Sequence, residues 1–141
     1  MKIICLDVGT KRIGLAACDP LEITAQGLGV IERTTKQRDF AEILQCIQQE
    51  AAEKLLIGLP LDAESKIGVS AQKILDFIQE LRGYLRENQC QIPIETWDER
   101  YSTAQAQEHL IEFEVSRKKR KKVIDKMAAL MILRDYLESK V

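Results

Sequence analysis

Histidine is almost absent from this sequence: His109 is the only one among 141 residues, and we assign it no catalytic role. The four cysteines form neither a Cys-x-x-Cys pair nor a Cys/His spacing typical of metal sites, which favours reduced thiols over a disulfide framework. No apolar run approaches the ~20 residues that span a membrane, and the start shows no signal peptide. We therefore expect a cytoplasmic protein without a membrane partner.

Internal repeats, low-complexity tracts and linkers are also missing. A chain of 141 residues fits one domain, which buries roughly two thirds of its unfolded surface around a single core. We therefore predict one domain over residues 1–141.

Charge is balanced overall but concentrated in one place. The formal net charge is -1, yet six consecutive cations form what we call the basic run: Arg117, Lys118, Lys119, Arg120, Lys121 and Lys122. Such a run is usually a solvated loop. Here it ends shortly before an acidic residue of interest, Asp125, which favours binding of a phosphodiester chain, because nucleic-acid affinity comes largely from phosphate neutralisation.

The hydrophobic pattern changes its period along the chain. Three short apolar runs separated by turns, near residues 2–6, 13–17 and 27–31, predict antiparallel strands. Helical spacing then appears in two segments, Phe40–Ala51 and Ile74–Leu85, each followed by an apolar strand-like run. Further helices are predicted up to about Leu110 and over Ile124–Glu138. This order predicts an α/β fold with a mixed five-stranded sheet, in which three antiparallel strands precede alternating helices and strands.

Three carboxylates stand at ends of predicted elements. Asp7 follows the first apolar run, Asp98 follows the last strand, and Asp125 opens the last predicted helix. Hard oxygen ligands of this kind suit Mg²⁺ or Mn²⁺, and several converging carboxylates can hold two ions. Asp98 could simply cap a helix and Asp125 could complement a helix dipole. Asp7, in an apolar strand, has no such ordinary explanation.

Four motifs carry a resemblance that spans nearly the whole chain. The segments Leu6–Gly14, Gly58–Leu61, Asp98–Thr103 and Ile124–Ala129 resemble the motifs of the YqgF (RuvX) family. The resemblance implies a ribonuclease H-like fold related to Holliday junction resolvases, and a nuclease that trims precursor 16S rRNA. The acidic positions of the family carry over to Asp7, Asp98 and Asp125. After Pro60 the family usually has an Asp-Gly pair, where this chain has Glu64-Ser65.

Other residues near these acids are candidates for substrate contacts. Glu99 could replace Asp98 as the ligand, because successive strand residues point to opposite faces and only one can enter the site. Trp97 is more simply explained as core. Candidate nucleic-acid contacts outside the basic run are Lys11, Arg100, Ser102 and Thr103.

Three classes of function remain open at this point. A metal-dependent nuclease is preferred, with an RNA precursor as the favoured substrate and branched DNA in a junction resolvase as the alternative. A sugar-kinase type of phosphotransferase shares the Asp7–Thr10 pattern but needs two such domains, and 141 residues hold one. A noncatalytic RNA-binding or transcription-associated factor is the third class. Either a monomer or a homodimer fits the sequence.

Overall fold

The computed structural model describes residues 1–61, 66–98 and 117–140, without the side chains of residues 117–126. Within this part of the chain, five strands and three helices alternate after an initial meander. In chain order they are β1 (Ile3–Val8), β2 (Arg12–Cys18), β3 (Ala25–Glu32), α1 (Lys36–Glu50), β4 (Lys54–Leu59), α2 (Val69–Glu87), β5 (Ile94–Asp98) and α3 (Arg117–Ser139).

The five strands form one mixed sheet in the order β3-β2-β1-β4-β5. The pairs β1–β2 and β2–β3 are antiparallel, whereas β1–β4 and β4–β5 are parallel. The predicted fold class is therefore confirmed. Because β1, β4 and β5 run in the same direction, their carboxyl ends meet at one edge of the sheet, which we call the carboxyl edge.

The sheet separates two apolar layers. Side chains alternate between its faces, so that Leu6 and Ile57 pack under α1 and α2, whereas Cys5 and Leu56 pack under α3. We call these the α1/α2 face and the α3 face. Both sides of the central strands are buried, which explains why their sequences read as continuous apolar runs.

Helix α1 shows how local sequence sets an element. The Thr35 side chain accepts a hydrogen bond from the backbone N–H of Arg38 and caps the start of the helix. Phe40, Ile43 and Ile47 repeat at helical spacing and bury one stripe against the sheet. The chain leaves the helix at Ala51 in a left-handed conformation, φ 50°.

Helix α3 begins earlier than predicted. The sequence pattern placed its start at Ile124, but the helix runs from Arg117, so the prediction that Asp125 opens the helix is wrong. Lysine and arginine are good helix formers, and neither glycine nor proline interrupts the chain between these points. The basic run therefore forms the first two turns of α3. The helix predicted up to Leu110 lies outside the described residues.

The carboxyl end of α3 is fixed at the sheet edge opposite the carboxyl edge. The Lys54 ammonium donates a hydrogen bond to the Tyr136 hydroxyl, 2.7 Å away, and this bond raises the pKa of Lys54. Lys140 pairs with Glu22 at 3.3 Å, and Glu22 also pairs with the amino group of Met1. These contacts hold the last turns of α3 beside the start of β1.

The four cysteines, all in the described ranges, form no disulfide. Burial raises the pKa of Cys18 and of Cys46, which keeps these thiols protonated and unreactive. Among the helices in the described ranges, none is long and apolar enough to cross a membrane.

Candidate metal site

Asp7 lies in the β1 strand near the carboxyl edge, directly after four fully buried residues. It pairs across β2 with Gly14. On its other side, Leu6 pairs with Ile57 of β4, and the next residue of β4 is Gly58. Alternation places Asp7 on the α3 face, the face that Gly14 and Gly58 share. Asp7 therefore has a glycine beside it on each neighbouring strand.

The turn after Asp7 is held tightly. The Gly9 N–H donates to the Arg12 carbonyl oxygen at 2.8 Å. A Cβ atom on Gly9 would lie 2.8 Å from that same oxygen, a distance that real Cβ atoms do not show, so the turn requires glycine. Thr10 and Lys11 are exposed at the tip. Lys11, a predicted substrate contact, is therefore free to reach a ligand at the carboxyl edge.

A buried ion pair supports this turn from the start of α1. Asp39 is 1% exposed and sits 3.3 Å from the Arg33 guanidinium. Arg33 also donates through Nη1 to the Gly9 carbonyl oxygen at 2.7 Å, and its backbone N–H donates to the Lys11 carbonyl oxygen at 2.9 Å. Charge-assisted bonds of this kind are strong. The segment after Asp7 is thus fixed on both sides, a role of Arg33 and Asp39 that the sequence analysis missed.

Asp98 is the last residue of β5 and pairs with Leu59. It reaches the same edge of the sheet as Asp7, as predicted from the strand ends. Its face differs, because Leu59 packs on the α1/α2 face and the preceding Trp97 packs on the α3 face. The alternation thus places Asp98 on the α1/α2 face, opposite to Asp7. Glu99 lies outside the described residues together with Arg100, Ser102 and Thr103.

The backbone of α3 brings Asp125 back towards the carboxyl edge. Lys140 is anchored beside Met1 through Glu22. From Lys140 to Asp125 the helix rises ~22 Å, and β1 from Met1 to Asp7 covers ~20 Å. Position 125 also lies about one turn before Ala129, which is buried against the sheet. The backbone at position 125 is therefore near the level of Asp7.

The interior position of Asp125 removes its simplest structural explanation. An acidic residue complements the helix dipole mainly within the first turn. Asp125 lies in the third turn of α3, since the helix begins at Arg117. Complementing the helix dipole therefore does not explain an acidic residue at position 125.

These residues fit a divalent cation by their chemistry. Carboxylate oxygens are the donors that hard cations prefer, and Asp7 supplies them at the carboxyl edge. Among the side chains that the structure describes, no three histidine, cysteine or carboxylate groups come together around one point. Of the three predicted ligands, Asp7 and Asp98 are among the described side chains, and the side chain of Asp125 is not.

A model of the RuvX family, described as a Holliday junction resolvase, matches residues 1–139. A candidate pre-16S rRNA nuclease of Desulforamulus reducens is 47% identical over 139 residues, which is 99% of this chain and 98% of that protein. A protein of the same name from Natranaerobius thermophilus is 43% identical over 141 residues, covering 100% of this chain and 96% of its own. Both likenesses extend over the whole described sheet.

Two solved structures share the fold at low identity. Fowlpox virus resolvase bound to Holliday junction DNA aligns with a TM-score of 0.61 at 15% identity, covering 100% of this chain and 99% of the resolvase. RuvC of T. thermophilus with a Holliday junction substrate aligns with a TM-score of 0.56 at 15% identity, covering 99% and 96%. At this identity the likeness concerns the fold alone.

Proposed function

The chain belongs to the RuvX family, and from this membership we propose that it is a metal-dependent nuclease that hydrolyses phosphodiester bonds in precursor 16S rRNA. The observation that carries the proposal is the position of Asp7, a carboxylate in a buried strand with glycine on both neighbouring strands. Carboxylate oxygens are the donors that hard divalent cations prefer. The names of the full-length relatives support the choice of substrate.

We propose Mg²⁺ or Mn²⁺ as the cofactor, held by Asp7, Asp98 and Asp125. When two such ions are bound, they supply an activated water and charge stabilisation for the leaving oxygen. The chain itself orients the ligands. Arg33 and Asp39 fix the turn after Asp7, and the packing of Ala129 and Ile132 against the sheet fixes the helix that carries Asp125. A rigid carboxylate needs no reorganisation during the reaction.

The basic run supports a polyanionic substrate. Cations at the start of a helix oppose its dipole, and like charges three or four residues apart repel each other. The first turn of α3 contains no acidic residue to balance them. Six cations in the first two turns therefore cost helix stability, and a bound phosphodiester strand would relieve that cost. We propose that the run guides the strand towards the acids.

The substrate is tested by side-by-side cleavage rates. We expect the purified protein, with Mg²⁺ or Mn²⁺, to cut single-stranded extensions of a ribosomal RNA precursor faster than it resolves a four-way DNA junction. EDTA should stop both reactions. A single domain with one basic run offers a short track suited to one flexible strand, whereas a junction demands two symmetric sites.

A junction resolvase is the second candidate, favoured by the description of the matching family model. Paired symmetric incisions in the junction, with no cleavage of RNA, would establish it in place of the first. A homodimer would then be required, and sedimentation of the protein with the junction would reveal it. Absence of metal-dependent cleavage on every substrate would instead favour a noncatalytic RNA-binding factor.

The choice between Asp98 and Glu99 as ligand is a separate prediction. We expect Asp98→Asn to lower the cleavage rate by at least about a hundredfold, because a neutral amide replaces a charged metal ligand. The matched variant is Glu99→Gln, measured with the same substrate and over a titration of Mn²⁺. The variant whose half-saturating Mn²⁺ concentration rises identifies the ligand. A rise for Glu99→Gln alone would transfer the role from Asp98, in agreement with the alternation of β5.

A further inference from the structure

A cavity of about 520 Å³ opens on the α1/α2 face at the carboxyl edge. The Gly9–Thr10 turn forms one wall, and the first turns of α2 form another. Small-molecule sites typically enclose about 300–1,000 Å³, so the cavity has the size of a ligand site. It shares the turn after Asp7 but lies on the other face of the sheet from Asp7 itself.

The floor of the cavity is apolar. Val8, Ile74 and Phe77 line it, and both Ile74 and Phe77 are nearly buried. The Arg33 guanidinium lies 5.3 Å from the centre of the Phe77 ring and also lines the cavity. An apolar surface with an aromatic ring beside a guanidinium group is the kind of surface on which unpaired bases stack.

The rim carries charge of both signs, and most of it is already paired. Lys36 pairs with Glu80 at 2.8 Å, and Asp76 accepts a hydrogen bond from the Gln72 amide at 3.0 Å. Lys73 is exposed on the rim, and no described carboxylate forms an ion pair with it. Its positive charge is therefore available to an anionic ligand.

The start of α2 adds donors on the same side. The N-cap residue, Gly68, has no side chain to accept a hydrogen bond from the first turn. The first N–H groups of a helix lack intrahelical partners and favour anions. Ser70, in this first turn, lines the cavity and contributes a hydroxyl group. The apolar floor of the cavity, the unpaired Lys73 and the start of α2 thus lie together.

We propose that this cavity binds an unpaired nucleotide of the substrate strand, next to the nucleotide whose phosphodiester is cut. The base lies on the floor of Val8, Ile74 and Phe77, and the phosphate lies at Lys73 and the start of α2. This inference rests on the proposed nuclease function, because the shared Gly9–Thr10 turn connects the cavity to Asp7. It explains a preference for single-stranded over paired substrate, since a paired base cannot enter the cavity.

Binding measured without turnover tests the proposal. Fluorescence anisotropy in EDTA is used to titrate the protein against a labelled single-stranded RNA, a DNA of the same sequence and the corresponding RNA duplex. Lys73→Ala removes the unpaired cation, and Ser70→Trp fills the mouth of the cavity. The controls are Arg86→Ala and Gln48→Trp, which make the same changes at exposed positions in the last turns of α2 and α1.

We expect Lys73→Ala to weaken single-strand binding by about threefold to tenfold and to lower the salt slope by about 0.7, the value for one phosphate contact. Ser70→Trp should weaken single-strand binding by about tenfold or more, because it excludes a stacked base. Duplex binding and both controls should change by less than about twofold. Equal losses of affinity for RNA and DNA mean that the cavity contacts the unpaired base. A loss of affinity for RNA alone means that it also contacts the ribose 2′-hydroxyl.

Two outcomes separate the failure of this proposal from that of the nuclease. If the unaltered protein binds single strands and both cavity variants bind as tightly as the controls, the cavity proposal is wrong and the nuclease proposal stands. If the unaltered protein binds neither single strand, both are wrong. Thermal melting checks that each variant is folded, and Lys73→Ala, a change at an exposed position, keeps the test valid should the tryptophan variant unfold.

Discussion

Asp7→Asn abolishes cleavage while leaving the fold and most of the nucleic-acid affinity intact. The substitution removes a negative charge with almost no change of volume, so the strand and its glycine neighbours are undisturbed. Loss of a metal-ligand charge costs several kcal/mol of transition-state stabilisation, and each 1.36 kcal/mol is a factor of ten. We therefore expect the rate to fall by roughly a thousandfold or more, and single-strand binding in EDTA to change by less than about threefold.

The matched control is Asp19→Asn. Asp19 is partly exposed in the β2–β3 turn, where it accepts hydrogen bonds from the backbone of Ile23 and Thr24. The Asp19→Asn variant therefore has the same chemical change far from the carboxyl edge, and its cleavage rate should remain normal. Calorimetric titration with Mn²⁺ should show weaker metal binding for Asp7→Asn only. Normal metal-dependent turnover by purified Asp7→Asn would remove Asp7 from the proposed mechanism.

The topology of the sheet was predictable because the sequence changes its period at the right places. Short turns between the first three apolar runs allow only antiparallel neighbours, and the helical spacing of Phe40, Ile43 and Ile47 inserts a crossover before β4. A strand that follows a helical crossover joins its sheet in parallel. The position of Asp7 and Asp98 at one edge follows from this topology alone.

The sequence did not predict which residues of each strand point to which face of the sheet. Both sides of the sheet are covered, so β4 is apolar at every position except Lys54 and Gly58, and its sequence does not indicate which residues face which helix. The face to which each β5 side chain points is defined only once the structure shows that Trp97 packs under α3. The question of Asp98 or Glu99, left open by the sequence, depends on that register.

Contacts between distant segments also could not be predicted from the sequence. Arg33 and Asp39 are six positions apart, a spacing with no particular meaning where a strand meets a helix. The pair stabilises the turn after Asp7 because Arg33 also binds the Gly9 carbonyl oxygen, which the fold brings to it from the neighbouring hairpin. A buried pair of this kind holds a turn in one geometry, and its loss leaves an uncompensated charge.

Neutralising the basic run weakens nucleic-acid binding for every sequence tested. We expect replacement of Lys118, Lys119, Lys121 and Lys122 by alanine to lower affinity by roughly a hundredfold to a thousandfold near 0.1 M salt. The slope of log K against log salt should fall by about 0.7 per lost contact on single strands, or about 3 for four contacts. Alanine is the best helix former, so the first turns of α3 should remain helical.

The control for this prediction is replacement of the same four lysines by arginine. Arginine keeps the positive charge and a high helix propensity, so affinity and salt slope should stay within about twofold of the unaltered protein. Circular dichroism checks that α3 persists in both variants. An unchanged salt slope in the alanine variant would show that the run is only a solvated helix end. A smaller slope with an equal loss on RNA, DNA and unrelated sequences indicates that the run binds phosphates, and base recognition must then come from residues at the carboxyl edge.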